Sequence, residues 1–92
     1  MIDVSKLKIG DRIRFEKDTH TIDVEKLMLP INISNLKAKV VEIDKEYDII
    51  YIKFEKRVRD LEEWDNKLHC HNEKNDEGAF TQELLGQKSN LI

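Results

Sequence analysis

The stretch LHCHNE places side chains that can bind metals at every second position: His69, His71 and Glu73. Residues two apart in a β-strand project from the same face, so these three could offer two imidazoles and a carboxylate to one metal ion, with His20 as a further candidate ligand. Zinc sites in proteins use three or four ligands, and only the two histidines form a close pair here. We therefore expect solvent-facing histidines on a strand, keep metal binding as a weaker alternative, and expect no cofactor.

Cys70 lies between the two histidines and is the only cysteine in the chain. A nucleophilic cysteine needs a nearby base that stabilises its thiolate, but on a strand His69 and His71 point to the opposite face. We therefore predict a buried thiol in the core. A single cysteine also excludes an internal disulfide, which agrees with a reducing compartment.

The stretch DLEEWDN surrounds Trp64 with carboxylates. Asp65 and Asn66 are typical of a turn in which side chains bond to the backbone, and Trp64 is expected to close one end of the fold. An aromatic ring among acids could also dock a basic peptide or a cationic ligand. The candidate partner-binding residues are Asp60, Glu62, Glu63 and Trp64.

Basic side chains alternate with apolar ones in several segments of the chain. Basic groups interleaved with an aromatic residue on a small β-domain can bind single-stranded nucleic acid. Acidic residues interrupt this set, and residues 60–92 carry eight acidic against three basic side chains, which weakens the attraction for phosphate. The candidate residues for nucleic-acid binding are Arg12, Arg14, Lys37, Lys39, Tyr51 and Lys53.

No catalytic signature accompanies these candidates. The chain has no glycine-rich phosphate loop of the G-x-G-x-x-G or G-x-x-x-x-G-K-[ST] type, and it has no G-x-S-x-G nucleophile elbow. Its three glycines leave little scope for loops that approach a substrate closely. We expect a protein that is not an enzyme.

Alternating apolar residues predict the strands that position these side chains. The segments GDRIRF, LKAKVVEID, YDIIYIKFE and KLHCHNE each have this pattern, and the short polar connection between the second and third predicts a β-hairpin. In the second segment the apolar residues change parity at Val40 and Val41. This change predicts a bulge or a strand that is buried on both sides.

A long connection follows the first strand. It contains the only proline, Pro30, which disfavours a central strand or a helix interior. We expect an excursion over residues 18–35 with extended segments or a helical turn around residues 24–29. It would end at Ser34 and Asn35, because asparagine tolerates a left-handed turn.

The stretch FTQELLG predicts a short helical turn near the C-terminus. Thr81 would be its N-cap, Phe80 would pack on Leu85, and Gly86 would end it. The residues beyond this turn are expected to fray, because chain ends that nothing holds are poorly ordered.

Length and composition predict one small domain over residues 1–86, followed by a frayed tail over residues 87–92. The apolar fraction of 39 % and the charged fraction of 38 % are typical of a globular protein. No apolar run is long enough to span a bilayer, and the N-terminus has no stretch that resembles a signal peptide. We therefore expect a cytoplasmic protein without membrane contacts.

The segments KIGDRIRF, AKVVEID, IIYIKFE and DLEEWDN resemble the SH3-like small barrels of many uncharacterised phage and plasmid proteins. The pattern is a GDRhRh strand, a long loop, a GxVVEhD hairpin and an EEWDN turn, where h is apolar. The resemblance covers roughly residues 8–71, and it departs from the pattern at Lys37 or its neighbour, where glycine is usual. It implies an all-β fold: a small SH3-like antiparallel barrel of four to five short strands. It implies no established activity.

These observations lead to three functional hypotheses. The first is a small non-catalytic binding module, an accessory protein of a phage or mobile element that docks on a host or phage protein through the acids near Trp64 and the long loop. The alternative is a KOW-like RNA- or DNA-binding barrel, and the weaker alternative is a metal-binding protein. The sequence is compatible with a monomer or a homodimer.

Overall fold

The computed structural model describes residues 1–21, 31–71 and 82–92. A short 3-10 helix over Val4–Lys6 precedes the first strand, and a second 3-10 helix covers Arg59–Trp64. An α-helix, α1, covers Gln82–Lys88. The strands are β1 (Arg12–Phe15), β2 (Lys37–Asp44), β3 (Ile49–Phe54), β4 (Lys67–His71) and β5 (Ser89–Leu91).

The five strands form one antiparallel sheet in the order β4-β3-β2-β1-β5. This architecture confirms the all-β class and the hairpin between β2 and β3. The sheet is not a closed barrel, so the barrel implied by the resemblance is corrected to an open five-stranded sheet. Closing a barrel requires the two edge strands to pair. Here the free side of β1 is occupied by β5, so that β4 and β5 lie at opposite edges of the sheet.

Alternation along the strands separates a buried inner face from an outer face. The inner face packs against Leu85 of α1 and Leu61 of the second 3-10 helix, and the rings of Phe15 and Phe54 lie 5.9 Å apart there. Burying one such large apolar side chain stabilises the fold by about 2 kcal/mol. The strand residues buried on this face are Ile13, Phe15, Ala38, Val40, Ile50, Ile52, Phe54, Leu68 and Cys70.

The predicted bulge in β2 is present. Val40 pairs with Ile52, but the next pair joins Glu42 to Tyr51, so the register shifts by one residue at Val41. If β2 were a regular strand without the bulge, Glu42 would lie on the same face as Val40 and would point into the core. The bulge therefore keeps the carboxylate of Glu42 on the outer face.

Asn66 ties the second 3-10 helix to the end of β3. Its Oδ1 accepts a hydrogen bond from the Val58 N–H at 2.7 Å, and its Nδ2 donates to the carbonyls of Phe54 and Lys56 at 2.9 Å each. Asp65 and Asn66 both have left-handed backbone, with φ of 57° and 60°. The predicted turn is confirmed for the Asn66 side chain.

The C-terminal helix is longer than its prediction, and Gly86 does not end it. α1 continues to Lys88, and a Cβ atom at Gly86 would lie 3.1 Å from Cγ2 of Val4 and 3.5 Å from the carbonyl oxygen of Ile2. The glycine therefore allows the N-terminal segment to pack closely on α1. Leu85, which the sequence placed at a packing position, is fully buried.

The expected fraying of residues 87–92 is wrong. Ser89–Leu91 form β5, which pairs with β1 in the register Phe15↔Ser89 and Ile13↔Leu91. Beyond the strand, the Ile92 N–H donates to the carbonyl of Arg12 at 3.0 Å. The tail is ordered because the free edge of β1 supplies hydrogen-bond partners for its backbone.

The two ends of the long first connection run side by side. The Thr21 N–H donates to the carbonyl of Ile31 at 2.9 Å, and the Ile33 N–H donates to that of Thr19 at 3.0 Å. Asn35 is left-handed with φ of 61°, as predicted. Other predicted features lie outside the described residues, namely the turn over residues 24–29 together with Pro30, Glu73, Phe80 and Thr81.

No helix in the described ranges of the chain has the length and apolar character needed to cross a bilayer.

Candidate functional site

A line of four basic residues crosses the outer face of the sheet. Arg12, Lys39, Lys53 and Lys67 are successive Cα partners on β1, β2, β3 and β4, and we call them the basic row. Neighbouring strands lie about 4.8 Å apart, so the row is roughly 14 Å long. Like charges directly opposite each other destabilise a sheet. The alignment of the row therefore costs the sheet stability unless negative charges compensate it.

The structure brings all six residues predicted for nucleic-acid binding to the outer face. Arg14 and Lys37 are partners of each other, two residues along their strands from the basic row, and Tyr51 lies two residues from Lys53 on β3. Lys67 is on the same face but was not among the residues predicted from the sequence. The alternation of KLHCH, in which Leu68 and Cys70 are buried, is the signal that places it on the same face as His69.

Two acidic residues, Glu55 and Asp65, partly neutralise the positive charge of the basic row. Nε and Nη2 of Arg12 donate to the two carboxylate oxygens of Glu55 at 2.9 Å each. This hydrogen-bonded pair raises the pKa of Arg12 and lowers the pKa of Glu55. One oxygen of Asp65 lies 3.6 Å from Nζ of Lys53 and 3.7 Å from Nζ of Lys67. These are exposed ion pairs, which typically contribute little to stability.

Three aromatic rings lie beside the basic row. The rings of Tyr51 and His69, which are cross-strand partners, have centroids 4.7 Å apart, and the ring of Trp64 lies 6.0 Å from that of His69. We call these three residues the aromatic row. Both neighbours are steeply inclined to the imidazole, at 63° and 82°. The row is partly open to solvent, and Trp64 is 50 % exposed.

His69 has a lowered pKa within the aromatic row. Burial of its ring is the main cause, the charges of His71 and Lys67 lower the pKa further, and Glu42 acts in the opposite direction. The shift favours the neutral imidazole at pH 7. The aromatic row therefore presents three largely neutral rings next to a line of cations.

The acidic residues around Trp64 lie on the second 3-10 helix. Asp60, Glu62 and Glu63 are exposed, and Nε of Arg57 donates to Oε1 of Glu62 at 2.6 Å. The expectation that Trp64 closes one end of the fold is wrong, because half of its surface is exposed and its ring packs against His69 on the outer face. Leu61, from the same helix, is the residue that enters the core.

The histidine pair lies on one face, as predicted. His69 and His71 are both partly exposed and alternate with the buried Leu68 and Cys70 along β4. Glu73, the third predicted ligand, lies outside the described residues. Within residues 1–21, 31–71 and 82–92, no three histidine, cysteine, aspartate or glutamate side chains come together as a metal site would require.

Cys70 is a buried free thiol on the inner face of the sheet, and its burial confirms the predicted core position. Desolvation raises the pKa of this thiol to about 12. At pH 8 we expect the native protein to react with an aromatic disulfide reagent about 1,000-fold more slowly than the denatured protein, because only the thiolate is nucleophilic. Absorbance of the released thiolate measures both rates. Equal rates would show that Cys70 is accessible in the native state.

Comparisons with models of protein families, with curated proteins and with solved structures gave no match. The resemblance to SH3-like barrels stays an expectation, and the functional proposals below are based on the outer face.

Proposed function

We propose that this protein is a small non-catalytic binding module whose outer sheet face binds nucleic acid through its phosphates. The basic row is the observation that carries this proposal. Three pairs of like charges face each other across neighbouring strands, and Glu55 and Asp65 compensate them only in part, so a bound polyanion would offset the remaining repulsion. The chain as a whole has a net charge of −3, whereas the basic row aligns four cations on this face.

Salt dependence tests the proposal. With about three phosphate contacts on a single strand, the logarithm of the affinity falls with a slope of about −2 against the logarithm of the salt concentration. We therefore expect the affinity for a fluorescein-labelled single strand of about 12 nucleotides to fall roughly 20-fold between about 50 and 200 mM salt. Fluorescence anisotropy measures this change. Absence of binding at the lower salt concentration would refute the proposal.

Asp65 provides a second prediction, because its carboxylate lies between the ammonium groups of Lys53 and Lys67, where a phosphate oxygen would bind. We expect Asp65→Asn to raise the affinity about threefold to tenfold, since it removes a competing negative charge. Asparagine tolerates the left-handed backbone at this position. Anisotropy titrations measure the affinity of this variant and of a matched control, Asp60→Asn. Asp60 is an exposed acid for which no ion pair to the basic row is present. An unchanged affinity for Asp65→Asn would contradict this role.

A protein partner is a second candidate function, favoured by the half-exposed indole of Trp64 beside the exposed carboxylates of Asp60 and Glu63. An aromatic anchor with acids around it suits a basic protein surface. In this case a protein that co-purifies with the wild type would be lost with Asp60→Lys/Glu63→Lys and retained with Lys39→Glu/Lys53→Glu. The opposite pattern would exclude the acidic turn as the docking surface.

The compartment that we propose is the cytoplasm. The single free thiol, Cys70, agrees with a reducing environment, and nucleic acid is present there as a ligand.

A further inference from the structure

We propose that the ligand of the outer face is a single strand with unpaired bases that lies across the sheet, with phosphates on the basic row and bases on the aromatic row. This inference rests on the proposed function and names the part of the nucleic acid that is recognised. It assigns Trp64 and His69 to the same binding surface as the lysines. The sequence alone had connected them with a protein partner and with a metal.

The two rows run in parallel across the strands. Lys53 and Tyr51 are two residues apart on β3, and Lys67 and His69 are two residues apart on β4. Two residues of a β-strand span about 6.7 Å, so each cation of these strands has a ring at that distance along its own strand. A nucleotide has the same organisation, since its phosphate and its base lie at opposite ends of one sugar.

The length of the surface fits a short segment of a strand. The basic row extends roughly 14 Å across four strands, which is room for about two or three nucleotides. The aromatic row covers only the half formed by β3, β4 and the second 3-10 helix. On the other half, Glu42 is the cross-strand partner of Tyr51 and takes the position where a further ring would lie. Base stacking is therefore confined to the end of the surface near Lys67.

The chemistry of the rings favours unpaired bases over a duplex. Aromatic side chains stack on any base whose face is open, while the bases of a duplex already stack on each other. The outer face is a sheet surface with partly exposed rings, and a half-exposed indole offers an apolar face for such contacts. A duplex would contact only the basic row and would leave the aromatic row without a partner.

Trp64 provides the readout, because it is the only tryptophan in the chain. An octamer of thymidylate, an abasic octamer with the same phosphates, and a duplex of the same length are titrated into the full chain at about 50 mM salt. We expect the thymidylate octamer to quench Trp64 fluorescence and to bind about 100-fold more tightly than the abasic octamer, at about tenfold for each of two stacked bases. Tyr51→Ala should lower the affinity for thymidylate about 10-fold and leave the affinity for the abasic octamer unchanged.

Tyr47→Ala is the matched control, because Tyr47 is the other tyrosine and is exposed in the turn between β2 and β3. Thermal unfolding of both variants verifies that they fold. Trp64→Ala, at an exposed position, is a second test of stacking, and its affinity is measured by anisotropy because the variant has no tryptophan fluorescence. Equal binding of the thymidylate and abasic octamers, together with equal affinities of Tyr51→Ala and Tyr47→Ala, would overturn the inference and leave phosphate binding intact. Absence of binding by every oligonucleotide would overturn the proposed function as well. Polyglutamate is titrated as a polyanion without bases. If it bound as tightly as the thymidylate octamer and quenched Trp64 fluorescence equally, the inferred ligand would be an acidic protein and not a nucleic acid.

Discussion

Asn66→Ala is expected to lower the free energy of unfolding by about 4 kcal/mol. The change removes three hydrogen bonds to backbone atoms of Phe54, Lys56 and Val58, each of which contributes about 1 kcal/mol. It also places alanine at φ of 60°, a conformation that asparagine tolerates and alanine disfavours. A domain of this size has about 5 to 10 kcal/mol in total, so the loss would be a large fraction. Urea denaturation followed by circular dichroism measures it.

Two variants separate the contributions of the side chain and the backbone. Asn66→Gly keeps the left-handed conformation and removes only the side-chain bonds, so it should lose about 3 kcal/mol. Asn35→Ala changes an asparagine at φ of 61°, and we expect a loss of about 1 kcal/mol from backbone strain. If Asn66→Ala were no more destabilising than Asn35→Ala, the side chain of Asn66 would not be what ties the second 3-10 helix to β3.

Lys39→Glu/Lys53→Glu is expected to weaken binding of single-stranded oligonucleotides roughly 100-fold at low salt. These two lysines are cross-strand partners at the centre of the basic row. Reversing them removes two phosphate contacts and adds repulsion, at about tenfold for each residue. The fold should tolerate the change, because both side chains are exposed and the signs along the row become positive, negative, negative and positive, which leaves one pair of like charges in place of three.

The matched control for this variant is Lys6→Glu/Lys45→Glu, which alters the net charge by the same amount. Lys45 lies in the turn after β2, about 20 Å along the hairpin from Lys39, and Lys6 lies in the first 3-10 helix, which packs with α1. We expect this control to reduce the affinity less than about threefold, because long-range effects are screened by salt. If both variants lost binding equally, net charge alone, and not the basic row, would determine affinity.

The strands could be predicted from the sequence because their signal is local. Ile13 and Phe15, or Ile50 and Ile52, alternate with polar residues over a few positions, and this pattern is sufficient to assign the buried face. The bulge at Val41 was also visible as a change of parity. The C-terminal strand was not, because SNL has no alternation of its own and pairs only where β1 offers a free edge. Gly86 was misassigned for a similar reason, since its contact partner, Val4, is remote in sequence.

The same contrast between local and long-range information applies to the candidate site. Each outward residue was identified from its own strand, but their alignment into rows depends on the registers of three strand pairs. Trp64 was expected to be structural because its neighbours are turn residues. Its position beside His69 results from the 3-10 helix, which turns Leu61 into the core and leaves the indole at the surface. Long-range registers of this kind are not encoded in any short window of the sequence.

The most direct test of nucleic-acid binding by the outer face is a nuclear magnetic resonance titration of the ¹⁵N-labelled protein with a thymidylate octamer at low salt. If the outer face binds single strands, the largest amide shifts fall on the strands of the two rows, at Lys39, Tyr51, Lys53, Lys67 and His69, and the indole N–H of Trp64 shifts with them. The amides of Lys6, Lys45 and α1 should remain in place. Shifts confined to the exposed acids Asp60 and Glu63, shifts spread evenly over the surface, or no shifts at all would contradict the assignment of the outer face as a nucleic-acid interface.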